Sequence, residues 1–244
     1  MKAAVEAATR KALASGSLQP LHTEMQRVED AGVRFVVRVL SSLERKQAAA
    51  RTADDPLGDY EPDLFVGDVS PTHYVLLNKY NALPNHVLVV TRRFEPQEAP
   101  LTAADFEALA HCMAGFGDVG FYNSGREAGA SQARKHLQLV AMDEIPIERL
   151  FDAGGKLPFP HEFVRISGPT TLHERYRSFP VGTPYNLLVT RRWMLFVPRL
   201  RECFESLTVN ALGFAGSLLA RTHEQARRIR EVGPMNVLRS VAST

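Results

Sequence analysis

Short β-branched and aromatic runs, a well-marked amphipathic helix and turn-rich connections between them predict an α+β fold. First, the apolar runs at 33–40, 73–78, 86–91, 185–190 and 193–198 are too short for helices and are rich in Val, Leu, Phe and Tyr, as strands are. Second, Phe106, Leu109, Ala110 and Met113 recur at i, i+3, i+4 and i+7, the spacing of one helical face. Third, strand-like and helix-like segments are mixed along the chain, and no short period repeats.

Residues 2–15 are alanine-rich with scattered charge, which predicts a surface helix stopped at Gly16. A strand over 33–40 then gives way to the charged stretch 42–51, a short helix or loop, and to a loop at 52–62, where Asp54, Asp55, Pro56, Gly58 and Asp59 collect. The runs 73–78 and 86–91 are joined by a connection containing Pro84 and Asn85, so they predict an antiparallel hairpin. Thr102, with Asp105 three positions on, is a variant of the capping box and opens a helix that ends in Gly115 and Gly117. Strands at 120–122 and 136–141 bracket a polar, glycine-containing connection over 123–135. Beyond Gly154-Gly155 the pattern is irregular until the strands at 185–190 and 193–198, and a helical tail is predicted from about 217 to 231.

Composition narrows the function classes. Of 244 residues, 29 are Lys or Arg and 27 are Asp or Glu, so the net charge of +2 lacks the concentrated positive charge of a duplex-DNA binder. Hydrophobic residues at 45% and charged residues at 23% are ordinary globular usage and exclude disorder. Cys112 and Cys203 are isolated from each other and from any second cysteine at metal spacing, which excludes a disulfide scaffold or zinc finger and predicts a reducing compartment. The longest apolar stretch, 209–220, is interrupted by Asn210 and Ser217 and falls short of a membrane span. The N-terminus lacks the apolar centre of a secretory signal. The expectation is a cytoplasmic protein with neither membrane nor nucleic acid as partner.

The chemistry is expected around residues 131–140. On a strand from 136, period two places His136, Gln138 and Val140 on one face and Leu137 and Leu139 on the other. An imidazole beside a carboxamide, preceded by a glycine-bearing turn with exposed N–H groups and a Ser hydroxyl, has the parts for attack on phosphorus while donors hold its oxygens. A lone strand histidine is more often a half-buried structural residue, and spacing alone favours that reading. His86 and His161 have no partner at metal-ligand spacing and are assigned structural roles. The arginines at 191, 192, 199 and 201 suit either a solvated edge or a polyphosphate.

The segments Glu61-Pro62-Asp63-Leu64-Phe65-Val66, Leu77-Asn78-Lys79-Tyr80-Asn81, His86-Val87-Leu88-Val89-Val90-Thr91, Phe121-Tyr122-Asn123-Ser124-Gly125 with its continuation to Gln132, Lys135-His136-Leu137-Gln138, and Pro184-Tyr185-Asn186-Leu187-Leu188 carry a resemblance. The chain resembles the diadenosine tetraphosphate phosphorylases (ATP adenylyltransferases) of the histidine-triad and galactose-1-phosphate uridylyltransferase superfamily. The resemblance spans nearly the whole chain. It implies one histidine-triad-like domain over 1–244: an antiparallel sheet with flanking helices as the catalytic core, at about 16–150, and a family-specific C-terminal region, at about 160–244, packed on it. It also implies reversible phosphorolysis of diadenosine tetraphosphate to ATP and ADP, with a nucleoside polyphosphate and phosphate as partners. His136 matches the nucleophile that carries the adenylyl group, and Gln138 the residue that holds its oxygens. Asn78 matches the ribose-contacting position. Asn123 and Ser131 match phosphate-side positions, Gln132 is counted with the substrate-binding residues, and Lys46 and Lys135 match lysines that face the polyphosphate. No cofactor and no protein-built metal site are implied; Mg²⁺ enters, if at all, with the nucleotide. Oligomeric state is left open.

One residue departs from the family pattern. Arg134 stands two positions before His136, where a histidine is usual, and an arginine accepts neither proton nor hydrogen bond. On an extended run it shares a face with His136, so its guanidinium is expected to reach the phosphate oxygens or the imidazole and to lower the imidazole pKa. The rival readings are a hydrolase or transferase acting on another nucleoside polyphosphate or a sugar nucleotide, and a weakly active nucleotide sensor.

Overall fold

The structure, a computed structural model, describes residues 1–41, 55–166 and 171–243. In chain order its elements are α1 (Lys2–Ser15), β1 (Thr23–Asp30), β2 (Val33–Leu40), β3 (Phe65–Asp68), β4 (His73–Leu77), β5 (Val87–Thr91), α2 (Ala103–Gly115), β6 (Val119–Asn123), β7 (His136–Val140), α3 (Glu148–Asp152), β8 (Glu162–Arg165), α4 (Leu172–Arg177), β9 (Tyr185–Val189), β10 (Trp193–Pro198), β11 (Cys203–Phe204), β12 (Leu207–Thr208), α5 (Ala211–Phe214), β13 (Ser217–Ala220), α6 (His223–Val232) and α7 (Pro234–Val241). No described helix is long and apolar enough to cross a membrane.

The fold is the expected α+β, built on an eight-stranded sheet in the order β3-β4-β5-β7-β6-β9-β10-β8 in which every neighbouring pair is antiparallel. The hairpin β4–β5 and the capping box of α2 are both present, with the Thr102 side chain accepting from the Asp105 N–H and the Asp105 carboxylate accepting from the Thr102 N–H. Several elements differ from the sequence expectation, among them β8 and α4 in the stretch read as irregular, and β1 and β13. β1 is an exposed strand of the sequence TEMQRVED that carries no apolar face and so gives no alternation to read; the β1–β2 register and the tight Ala31-Gly32 turn, both at positive φ, hold it in place. The predicted tail helix from 217 is instead β13, which pairs parallel with β2 before α6 begins at His223. Its Ser-Leu-Leu-Ala run is short, and pairing, not propensity, decides its state.

Period two gives the large sheet two different faces. One is mainly apolar: Val75, Leu77, Val87, Val89, Leu137, Leu139, Leu187 and Val189 pack beneath Val5 of α1, Phe106 and Leu109 of α2 and Tyr176 of α4. The other face carries two separate clusters. Tyr74, Leu76, Leu88 and Val90 pack with Leu57 at one end. Val119, Phe121, Val140, Leu188 and Leu195 pack against Phe35 and Val37 of β2 and Leu238 of α7 at the other. The two polar side chains of β7 lie between these clusters.

Candidate active site

β7 is the inner strand between β5 and β6. Its register sets His136 opposite Val90 and Gln138 opposite Leu88 on one side, and Gln138 opposite Phe121 on the other. His136 and Gln138 share the face that period two predicted, and both are buried, at 3% and 9% exposure. Burial in this dry floor favours the uncharged ring, so the His136 pKa is pushed below the ordinary histidine value. His136 Nδ1 lies 2.8 Å from the backbone oxygen of Arg134. A carbonyl only accepts, so this bond fixes the tautomer with the proton on Nδ1 and a lone pair on Nε2.

A second chain of contacts orients Gln138. Its Oε1 lies 2.8 Å from His86 Nε2, and His86 Nδ1 lies 3.1 Å from Asn78 Nδ2. Asn78 Oδ1 in turn accepts the N–H of Tyr80. An amide nitrogen only donates, so His86 is neutral, accepts at Nδ1 and donates from Nε2; the Gln138 oxygen is thereby occupied and its NH₂ is the end left to face a ligand. His86 packs against the Phe121 ring at 5.7 Å. Burial lowers its pKa to about 4, His136 nearby pushes in the same direction, and the Gln138 bond opposes both. The structural role assigned to His86 from sequence is therefore too narrow: it stands in the same hydrogen-bonded group as Gln138. Its only sequence signal is parity in an antiparallel pair whose register no local pattern reveals.

Several predicted site residues lie elsewhere or are otherwise engaged. Lys135 is corrected: its neighbour parity is that of Leu137, so it projects through the opposite face, where Nζ meets Glu95 at 2.6 Å, the Pro100 oxygen at 3.0 Å and Asp105 at 3.4 Å. Asp105 also bonds His73 at 2.9 Å, so the lysine belongs to a buried ion cluster behind the strand. Arg134 is corrected as well. Its guanidinium grips both oxygens of Asp55 at 2.6–3.1 Å, donates to the Thr91 and Arg92 oxygens and lies over the Phe94 ring. Its influence on His136 runs through its carbonyl, which favours the protonated ring; burial, and not the guanidinium, lowers the His136 pKa.

Asn123 Oδ1 accepts from Asn186 Nδ2 and the Ala211 N–H, both at 2.9 Å, tying β6 to β9 and α5. Ser131 is exposed and Gln132 half-buried in the loop entering β7. Lys46 lies outside the described residues. Of the arginine cluster, Arg199 is a buried cross-link to five backbone oxygens, Arg191 donates to Met113, Arg192 pairs with Glu148 and Asp152, and Arg201 is exposed. The sequence reading also missed Gln97, whose buried side chain bonds the backbone of both His136 and Asn123.

Comparison with known proteins places this geometry in a family. The model of the Ap4A phosphorylase N-terminal domain matches residues 1–153, and that of the ATP adenylyltransferase C-terminal domain matches residues 155–244. Among curated proteins of Saccharomyces cerevisiae, Protein APA1 is 25% identical, with 91% of this chain and 87% of the relative aligned. Diadenosine 5',5'''-P1,P4-tetraphosphate phosphorylase 2 is also 25% identical, over 89% and 86%. The crystal structure of yeast Ap4A phosphorylase Apa2 superposes with a TM-score of 0.85 at 22% identity, covering 99% of this chain and 96% of that one, and its complex with Ap4A superposes at 0.79. The antiparallel sheet, its helices and the two matched family models together show that this chain belongs to the Ap4A phosphorylase family of ATP adenylyltransferases.

Proposed function

We propose that this chain cleaves diadenosine tetraphosphate by phosphorolysis, through an adenylyl group carried on His136. The observation that carries the assignment of residues is the pair of locked side chains on β7: His136 with its proton held on Nδ1 by the Arg134 oxygen, and Gln138 with its oxygen held by His86. The Nε2 lone pair attacks the α-phosphorus, the N–P bond forms and the α–β bridging P–O bond breaks, releasing ATP. An oxygen of inorganic phosphate then attacks the same phosphorus, the N–P bond breaks, and ADP leaves. Burial keeps the ring neutral at neutral pH, which supplies the lone pair without a general base.

Gln138 NH₂ donates to the non-bridging oxygens as charge builds on them. A carboxamide neither gives nor takes a proton, so Gln138 offers no base to activate water, and the second step depends on a nucleophile that is already anionic. Residues 1–244 act as one catalytic unit in this reading, with the core at about 16–150 and the region at about 160–244 packed on it. The strands β8, β9 and β10, which extend the sheet beyond β6, support it. Two free cysteines support cytoplasmic residence.

The test is incubation with diadenosine tetraphosphate, with and without phosphate, followed by nucleotide chromatography and intact-mass measurement. ATP and ADP should form catalytically only when phosphate is present; without it, release of ATP should stop at one equivalent per site, no ADP should form, and a protein species heavier by one adenylyl group should accumulate. Equal turnover without phosphate, with AMP as product, would replace this reading with a hydrolase.

A further inference from the structure

The point where β7 begins is held by a side chain in place of a strand ladder. The β6–β7 register runs from Val119 opposite Val140 to Phe121 opposite Gln138, and its continuation would set Asn123 opposite His136. There the Gln97 carboxamide enters the seam. Its Oε1 accepts the His136 N–H at 2.9 Å, and its Nε2 donates to the Asn123 oxygen at 2.8 Å and the His136 oxygen at 3.2 Å. The side chain is 1% exposed.

Its own backbone is fixed from two sides. The Gln97 N–H donates to the Ala133 oxygen at 2.8 Å, the Lys135 N–H donates to the Glu95 oxygen at 2.7 Å, and Pro96 bridges Arg134 between them. The Tyr122 hydroxyl donates to the Gln97 oxygen from β6. Few side chains match this seam. It needs one acceptor and two donors on a flat group, which a carboxamide supplies; a carboxylate would set an oxygen against two carbonyl oxygens, and an apolar side chain would take the Gln97 partner from both backbone groups of His136, while the Asn123 oxygen would keep the Gly125 N–H.

We propose that Gln97 is a positioning residue for the reaction: it fixes the His136 backbone, and through it the direction of Nε2 and the Nδ1 bond to the Arg134 oxygen. The inference rests on the function proposed above, and it makes residue 97, which bonds only backbone atoms of β6 and β7 through its side chain, a determinant of the chemical step. Displacing a reacting group by about 1 Å can cost about a hundredfold in rate.

Gln97→Met and Gln97→Glu test it against the parent by steady-state kinetics with diadenosine tetraphosphate and phosphate over pH 5–8, with far-UV circular dichroism and imidazole ¹⁵N spectra. In Gln97→Met kcat should fall about ten- to a hundredfold with KM changed less than about threefold, and His136 should lose its pure Nδ1–H tautomer while the fold is kept. In Gln97→Glu kcat relative to the parent should rise towards acid, as the carboxyl gains a proton and can donate again. Parent-like kcat and tautomer in both folded variants would overturn the proposal, as would a kcat loss that only tracks the unfolded fraction and leaves the Gln97→Glu profile parallel to the parent. If the parent itself fails to turn over, the proposed function falls, and the tautomer of His136 still decides the role of Gln97.

Discussion

Acid should undo the Gln138 orientation through one titration. His86 is neutral in the fold with its pKa near about 4, lowered first by burial and also by His136, against an ordinary value of about 6.5 for an exposed histidine. Between those values the unfolded chain binds a proton that the folded chain refuses, so unfolding takes up protons and stability falls as pH falls. The contribution is fully present above about pH 6.5 and is lost by about pH 4; the gap corresponds to about 3 kcal/mol, of which roughly two-thirds is gone at pH 5. The geometry gives the same sign: a second ring proton would place Nδ1–H against the Asn78 amide, two donors facing each other at 3.1 Å. The assay is urea unfolding of the parent and of His86→Gln at half-unit steps from pH 7.5 to 4, comparing the two slopes because other groups titrate in both proteins. The parent curve should fall more steeply, by about 3 kcal/mol over the interval. Parallel curves would refute the reasoning and show that His86 carries no buried, neutral constraint.

The other expectations concern groups around the same strand. His136→Ala should abolish adenylyl transfer while keeping the circular dichroism of the parent, since it deletes the nucleophile and no large core side chain; measurable phosphate-dependent ATP formation would exclude His136 as the carrier. Asp55→Ala and Arg134→Ala should each cost about 1–2 kcal/mol in urea unfolding, and the double variant little more than either, because one bidentate contact joins them; additive losses would show that they act separately. Lys135→Met should cost about 3 kcal/mol by stranding the Asp105 carboxylate, with kcat and KM of the folded fraction unchanged. A rise in KM of more than tenfold would mean that the ammonium reaches the polyphosphate after all.

The sheet was legible where a segment declares its own state. Period two in 136–140, the hairpin 73–91 and the Thr102–Asp105 box are local signals, and each element stands where its residues put it. β1 and β13 were not legible, because what makes them strands is pairing with β2, which no local pattern encodes. The site divides in the same way. His136 and Gln138 are two apart on one strand and visibly share a face. His86 joins them across 52 positions, Gln97 across 39 and Asp55 reaches Arg134 across 79, so their roles depend on register and loop closure. Lys135 is different again: the parity that placed His136 and Gln138 together also places residue 135 with Leu137, and the resemblance overrode a local signal that was correct.

The long-range contacts share one consequence. Each atom of β7 assigned to the chemistry has a partner that fixes it from behind: the Arg134 oxygen for His136 Nδ1, Gln97 for the His136 backbone, His86 for the Gln138 oxygen. Under the proposed mechanism nothing then has to reorganise when charge develops on the phosphorus oxygens, because the lone pair and the amide donors are oriented before substrate arrives. Arg134 fits this arrangement without a histidine's chemistry. What the position supplies to His136 is a backbone oxygen, which any residue has, and the arginine side chain is used to hold that backbone against Asp55 and the end of β5. In the proposed mechanism the departure at residue 134 therefore falls on the support of His136, where an arginine can serve, and leaves Nε2 untouched.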